Sequence, residues 1–183
     1  WLFKTHRKGA QDSRIRLILE QEAFMEIHKA WQRLGYPFAT LVPSLATAIG
    51  SSADRPAALT DLMGILVNDG QKIPTVTIQQ LHFAEGTPFE TLLVPQEPVR
   101  EQVLNPLVAQ VLRHELIGVV EHGTAIGAKG ALTPIEGINF SIGGKTGTGD
   151  HRQKVYERGY RLIESHPISR TATFVFLIDN RFF

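Results

Sequence analysis

The sequence predicts an α/β (α+β) fold in which helices pack on an antiparallel sheet. Three observations carry that expectation: three segments step their apolar residues by three and four, a β-branched stretch alternates through residues 73 to 83, and two further strands lie near the end. With 183 residues, 43% of them hydrophobic, the chain can bury a core. No internal repeat or clear linker divides it, so 1–183 reads as one unit.

The first helix is expected from Ile15 to Leu34, where Ile15, Ile18, Phe24, Ile27, Trp31 and Leu34 form one stripe. Asp12 or Ser13 can cap its start, and Gly35 with Pro37 stops it. The small-residue stretch PSLATAIGSSADRP then lets backbones approach closely. A second helix over Ala57 to Val67 carries Leu59, Leu62, Met63 and Leu66, capped by Ser52 or Asp54 and closed by Asn68-Asp69-Gly70. IPTVTIQQLHF (73–83) and TPFETLLV (87–94), separated by Glu85-Gly86, read as a β-hairpin.

Pro95, Pro98 and Pro106 lead into a third helix, whose broad apolar face of Leu107, Val108, Val111, Leu112, Leu116, Val119 and Val120 ends at His122-Gly123. Alternation from Ile138 to Ile142 makes GGKTGT the continuation of a strand. The closing TATFVFLI is the nearly continuous apolar run of a strand buried on both faces.

Composition removes several classes of function. Nineteen Lys+Arg against eighteen Asp+Glu leave a net charge of +1, so no global field attracts nucleic acid or an anionic membrane. The cluster Lys4, His6, Arg7 and Lys8 reads as a solvated surface. The absence of cysteine excludes a disulfide scaffold, a Cys-ligated zinc site and a thiol nucleophile. No apolar run approaches the length of about 20 residues that spans a membrane, and the start has no signal-peptide layout. A chain running from Trp1 to Arg181-Phe182-Phe183 is expected to be a piece of a larger protein, with any membrane anchor outside it.

The chemistry concentrates in Gly143-Gly144-Lys145-Thr146-Gly147-Thr148-Gly149-Asp150. A phosphate loop needs a glycine five residues before Gly144, and that position is Asn139. Gly147 and Gly149 would also weaken the helix that such a loop must open. On a strand, Lys145 and Gly147 face one side, and Thr146 and Thr148 the other. Gly147 would let an extended peptide approach and add to the strand edge. Lys145 would then supply a positive charge for a carboxylate while threonine hydroxyls orient it, and the same lysine could move a proton if its neighbours depress its pKa. A Gly-rich hairpin with an exposed lysine is the plainer account of the same residues.

Lys145-Thr146-Gly147 is the K-T-G triplet found among the motifs of penicillin-binding proteins and class A β-lactamases. The order of PSLATAIGSSADRPAALTDLMGILVNDG, VVEHGTA and GGKTGTGD resembles the later part of the transpeptidase domain of class A penicillin-binding proteins, the bifunctional peptidoglycan synthases. The likeness runs from about Leu34 to Asp150, extends to RTATFVFLI, and is less specific before residue 30. It implies an incomplete penicillin-binding, serine β-lactamase-like fold, with 1–34 as a helical lead-in, 35–150 as the matching core, 151–169 as an inserted loop and 170–183 as a strand.

The implied reaction is D,D-transpeptidation, in which a serine attacks a stem-peptide carbonyl and passes the acyl group to an amine of a neighbouring strand. By resemblance Lys145 is the catalytic residue of this segment, beside a second-motif serine. Gly144, Thr146, Gly147 and Thr148 bind substrate, with Thr146 and Thr148 on its carboxylate and the N–H of residue 148 in the oxyanion hole. Implied partners are the peptidoglycan stem peptide, β-lactam antibiotics and cell-wall assembly proteins, with no cofactor, metal or nucleic acid. The implied location is the periplasmic or extracytoplasmic face of the bacterial inner membrane.

The departures matter equally. None of the serines at 13, 44, 51, 52, 141, 165 and 169 has lysine three residues on, and Ser-x-Asn is absent. The nucleophile is therefore expected upstream of this chain, which alone would be inactive. A non-catalytic peptide- or protein-binding relative is the alternative. HRQKVYERGYRLIESHP, between the two last strands, is longer than the family's turn and reads as an inserted, solvated loop, with a partner or substrate contact as the alternative. The seven histidines show no metal-ligand spacing, Ser44 reads as packing, and Asp150 and Glu121 are left out of the site.

Overall fold

The computed structural model describes residues 4–50, 52, 54–132, 134, 137, 139–157 and 161–181. Among the described residues the fold mixes three α-helices with three two-stranded antiparallel sheets. Helix α1 spans Lys8–Arg33, α2 Pro56–Val67 and α3 Pro106–His122. Strands β1 (Gln71–Lys72) and β4 (Glu101–Gln102) pair, as do β2 (Leu81–Phe83) and β3 (Thr91–Leu93). The long strands β5 (Ile142–Tyr156) and β6 (Leu162–Ile178) form the third sheet.

Helix α1 starts two turns before its apolar stripe, at Lys8, with Arg7 as N-cap and no side-chain cap. Neither Asp12 nor Ser13 caps it; Ser13 lies inside the helix and its hydroxyl donates back to the Gly9 carbonyl at 2.9 Å. Its early turns face solvent, which is why apolar spacing could not reveal them. Gly35, at φ 104°, ends it in the left-handed region that glycine tolerates. Trp31 and Phe38 both meet Tyr36 edge-on, at ring-centroid distances of 5.6 and 5.7 Å.

Helix α2 is likewise not capped by Ser52 or Asp54. Arg55 is its N-cap and Pro56 its first residue, so proline's missing N–H removes one of the donors a cap would serve. Asp54 accepts from the Arg55 N–H at 2.7 Å, and the Ser52 hydroxyl accepts from the Val42 N–H at 3.1 Å. The end of α2 matches the sequence: Asn68 is the C-cap, and Asp69 and Gly70 take φ of 53° and 83°. Helix α3 has a true side-chain cap, Asn105 Oδ1 accepting from the Leu107 N–H at 2.9 Å.

The expected hairpin forms only over 81–83 and 91–93, while residues 73–80 are not strand. Pro74 has no N–H to give a ladder, and Gln71–Lys72 just before it pairs with Glu101–Gln102 instead. Ile138 lies outside the described residues, and the strand that carries GGKTGT begins at Ile142. The segment 151–169 is not a loop. Its described residues continue β5 and β6 as a ribbon, from His151 opposite Ser169 to Tyr156 opposite Leu162.

The core lies where α2, α3 and the base of the β5–β6 sheet meet, in Met63, Leu66, Val67, Ala109 and Leu177, with Leu104, Leu116 and Val175 packed on it. TATFVFLI is not buried on both faces. Leu177 is fully buried, whereas Phe174 and Phe176, stacked with centroids 5.8 Å apart, remain 39% and 41% exposed. A single two-stranded sheet has one face on the helices, and no described element covers the other. Much of the apolar face of α3, including Leu107, Val108, Val111 and Leu112, is exposed in the same way.

One polar contact locks α2 to α3. The Arg113 guanidinium, mostly buried, donates to the carbonyl of Leu66 and pairs with Asp69 Oδ1 at 2.7 Å. It thereby satisfies helix-end carbonyls that have no intrahelical donor. Arg113→Ala should cost about 2–3 kcal/mol in urea unfolding, since charge-assisted bonds are lost and an acceptor is left buried. Asp69→Asn, which keeps a residue tolerant of positive φ and breaks only the more exposed ion pair, should cost about 0.5 kcal/mol. Equal costs would show that the ion pair, rather than the carbonyl contact, holds the helices.

In the β2–β3 hairpin, Glu90 takes hydrogen bonds from His82 Nε2 at 2.7 Å and the Gly86 N–H at 3.1 Å. The His82 contact first and the Gly86 contact second hold the Glu90 carboxyl below the usual carboxylate range. A depressed folded pKa stabilises above the unfolded value and loses that effect as pH falls through the folded value. Protection factors at Phe83 and Thr91, corrected for the intrinsic pH dependence of exchange, should therefore fall on acidification through that window. Glu90→Gln should flatten the pH dependence.

Candidate functional site

The candidate site is built where β5 leaves α3. Gly143 lies against the helix backbone: a Cβ there would come within 3.0 Å of the Ile117 nitrogen and 3.2 Å of its Cγ1. A Cβ at Gly144 would meet the Val175 carbonyl at 2.6 Å and the Phe174 ring at 2.7 Å. These glycines thus bring the strand close to α3 on one side and to β6 on the other. The strand emerges from the core at Lys145.

Pairing runs without slip from Ile142 opposite Ile178 to His151 opposite Ser169. Lys145 faces the same side as Gly147 and Gly149, together with Val175, Thr173 and Thr171 from β6. Thr146 and Thr148 share the other side. Thr171 Oγ1 donates to the Gly149 carbonyl at 3.3 Å and Thr173 Oγ1 to that of Gly147 at 3.5 Å. A Cβ on Gly147 would lie 2.5 Å from Thr173 Oγ1. Gly147 therefore leaves room for a cross-strand hydroxyl as well as an open approach from outside.

Lys145 is exposed, and its Nζ donates to the Thr146 carbonyl at 2.7 Å. An ammonium has three donors, and among the described residues the other two are left to meet an incoming anion. Thr146 is half-buried, and its hydroxyl meets that of Thr124 at 2.9 Å. Thr124 is brought there by the end of α3: the Gly123 and Ala125 N–H groups both bond the Val119 carbonyl at 3.1 Å, turning the chain sharply. A side chain at 123 would lie 2.8 Å from that carbonyl, so the turn requires glycine.

Lys145, Thr146, Gly147 and Thr148 are therefore presented on one strand, with Gly143 against α3 setting their depth. The outer edge of β5 carries no strand among the described residues. A cation, hydroxyls and an open backbone edge together can hold the carboxylate and main chain of an extended peptide. Thr124, Thr171 and Thr173 join the site without having been picked from the sequence. Gly123-Thr124 directly after an apolar helix was the available signal for the first. The other two needed the strand register, which spacing alone does not provide.

Other candidates resolve into structural roles. Ser44 caps a short 3-10 turn over Leu45–Ile49, accepting from the Ala46 N–H at 3.3 Å. Asp150 pairs with Arg170 at 3.3 Å and Glu121 with Lys129 at 2.7 Å, so each carboxylate has its own cation. Among the described residues no group of three or more His, Asp or Glu could hold a metal ion, and no helix is long and apolar enough to cross a membrane. None of the described serines is hydrogen-bonded to Lys145.

In comparison with known proteins, no family model, curated protein or solved structure matches this chain.

The threonine ladder gives a direct test of the site's architecture. Gly147→Ala should cost about 1 kcal/mol by displacing the Thr173 hydroxyl, and much less in a Thr173→Ala background. A coupling near zero in thermal unfolding would mean that Gly147 does not serve that contact.

Proposed function

We propose that this chain supplies the K-T-G wall of a peptidoglycan D,D-transpeptidase, within a penicillin-binding fold completed by sequence outside the chain. The observation that carries the reading is the placement of Lys145-Thr146-Gly147-Thr148 on a regular, open-edged strand at the mouth of the helical core. In such a site a stem peptide would lie along β5 with its carboxylate on Thr146, Thr148 and Lys145. Main-chain bonds to the strand edge would hold the scissile carbonyl toward a serine on another segment. Thr124, bonded to Thr146, is a positioning residue in this scheme because it fixes the rotamer of a hydroxyl expected to face the carboxylate.

Two further features support a fold larger than this chain. The apolar positions of α3 and the Phe174/Phe176 face are exposed, which a stable core would cover. A groove of about 530 Å³ lined by Trp31, Tyr36, Leu59, Leu62, Leu112 and Leu116 opens beside them. The reading also needs a nucleophile in Ser-x-x-Lys and a following Ser-x-Asn, neither of which occurs among these residues.

A fluorescent penicillin should label a polypeptide in which this chain follows such motifs, and should leave the 183-residue chain unlabelled. Lys145→Ala in the longer protein should slow acylation by about 10²-fold or more, with little change in unfolding temperature. Covalent labelling of the chain alone would overturn the division of labour. No labelling of the longer protein, with retained binding of a stem peptide, would favour the non-catalytic binding relative.

A further inference from the structure

We infer that the outer edge of β5 beyond the K-T-G segment, from Asp150 to Tyr156, is a docking edge for an extended acidic polypeptide, which adds there as a third strand. This stretch lies outside the part that would hold a stem peptide, and the inference does not depend on acyl transfer. Seven residues at about 3.3 Å each give an edge of about 23 Å, long enough for a strand of ordinary length.

The two edges of the ribbon are not equivalent. Opposite His151 and Arg152 the partners jump from Ser169 to Pro167, and opposite Val155 and Tyr156 from Glu164 to Leu162. Ile168 and Ile163 are therefore bulged out of β6. Pro167 adds a residue without an N–H, which sheets accept where the missing donor would have faced solvent. Bulges and proline are the devices by which a strand edge is closed to further pairing. β5 has neither: it runs unbulged and without proline through Tyr156, its residues exposed from Gly147 onward, and no described strand lies on its outer side. One edge is blunted and the other is left competent to pair.

Charge selects the partner. Asp150 is answered across the ribbon by Arg170, at 3.3 Å. Arg152 donates to the hydroxyl and carbonyl of Ser165 at 2.8 and 3.0 Å and has no carboxylate partner among the described residues. Lys154, two residues on and on the same face, makes no ion pair there either. Tyr156 follows on that face, half exposed. An incoming strand with carboxylates at every second position would set two of them beside Arg152 and Lys154, on the face that Tyr156 shares.

The test uses the chain itself and a capped octapeptide of alternating valine and glutamate, with a valine and lysine octapeptide as control. The acidic peptide should slow amide exchange at alternate residues of 150–156, measured residue by residue, and leave β6 unchanged. Replacing Arg152 and Lys154 together by glutamate should weaken binding by about tenfold. Their replacement by glutamine, which keeps the strand and only removes charge, should give an intermediate loss, with an unchanged circular dichroism spectrum as the control for folding. Equal binding of the lysine peptide, protection on β6, or no protection would overturn the inference. So would protection of 150–156 by phosphatidylglycerol vesicles but not by peptide, or protection that rises with protein concentration alone.

Discussion

The approach of β5 to α3 at Gly143 is the constraint on which the site depends. A strand normally stands off a helix by the depth of a side chain. At this point there is none, and the strand backbone lies close to Ile117. That contact sets the height at which the next residues leave the core: Lys145 reaches solvent one residue beyond Gly144, while Leu177 across the ladder from Gly143 stays fully buried. Any side chain at 143 would lift the strand and carry Lys145, Thr146 and Thr148 with it.

The same glycine-rich run serves a second purpose further out. Gly147 and Gly149 leave the lysine side of the sheet without side chains on β5, and β6 fills part of that space with Thr173 and Thr171, whose hydroxyls reach across to the opposing carbonyls. The result is a shallow polar surface beside a single cation, with a second hydroxyl pair, Thr124 and Thr146, on the other side of the strand. A flat, hydroxyl-lined strand suits recognition of a backbone and a carboxylate better than recognition of a bulky side chain. Rigid main chain supplies most of the donors, so little ordering remains to be paid on binding.

Local rules succeeded where local chemistry decides the outcome. The C-terminal ends of α2 and α3, the turn at Asn68-Asp69-Gly70 and the strand character of GGKTGT follow from helix-stop residues, positive φ and period-two alternation, and the structure places them accordingly. Failures came where tertiary partners decide. The first two turns of α1 carry no apolar stripe, so the helix was invisible there. Residues 73–80 alternate like a strand but pair with no described strand, and 151–169 read as a loop although pairing of the described residues with each other makes them strand. TATFVFLI looked doubly buried because its composition records the environment it is suited to, whereas burial in this chain depends on which layers are present.

That last discrepancy bears on how the molecule works. The side chains of Phe174, Phe176, Leu107 and Val111 are chosen as for an interior, yet they face solvent, while the paired and capped groups nearby are well satisfied. Local consistency combined with exposed apolar faces agrees with the proposal that other elements share this core. The ribbon behaves differently: Asp150, Arg152, Thr171 and Thr173 are paired or hydrogen-bonded across the ladder, Ile163 and Ile168 are exposed where β6 bulges, and β5 is the strand whose edge carries neither bulge nor proline. On the proposed reading the apolar faces at the base would be covered permanently by further elements of the fold, whereas an open, charged edge at the far end would suit a partner that comes and goes, because its groups are well solvated when it is empty.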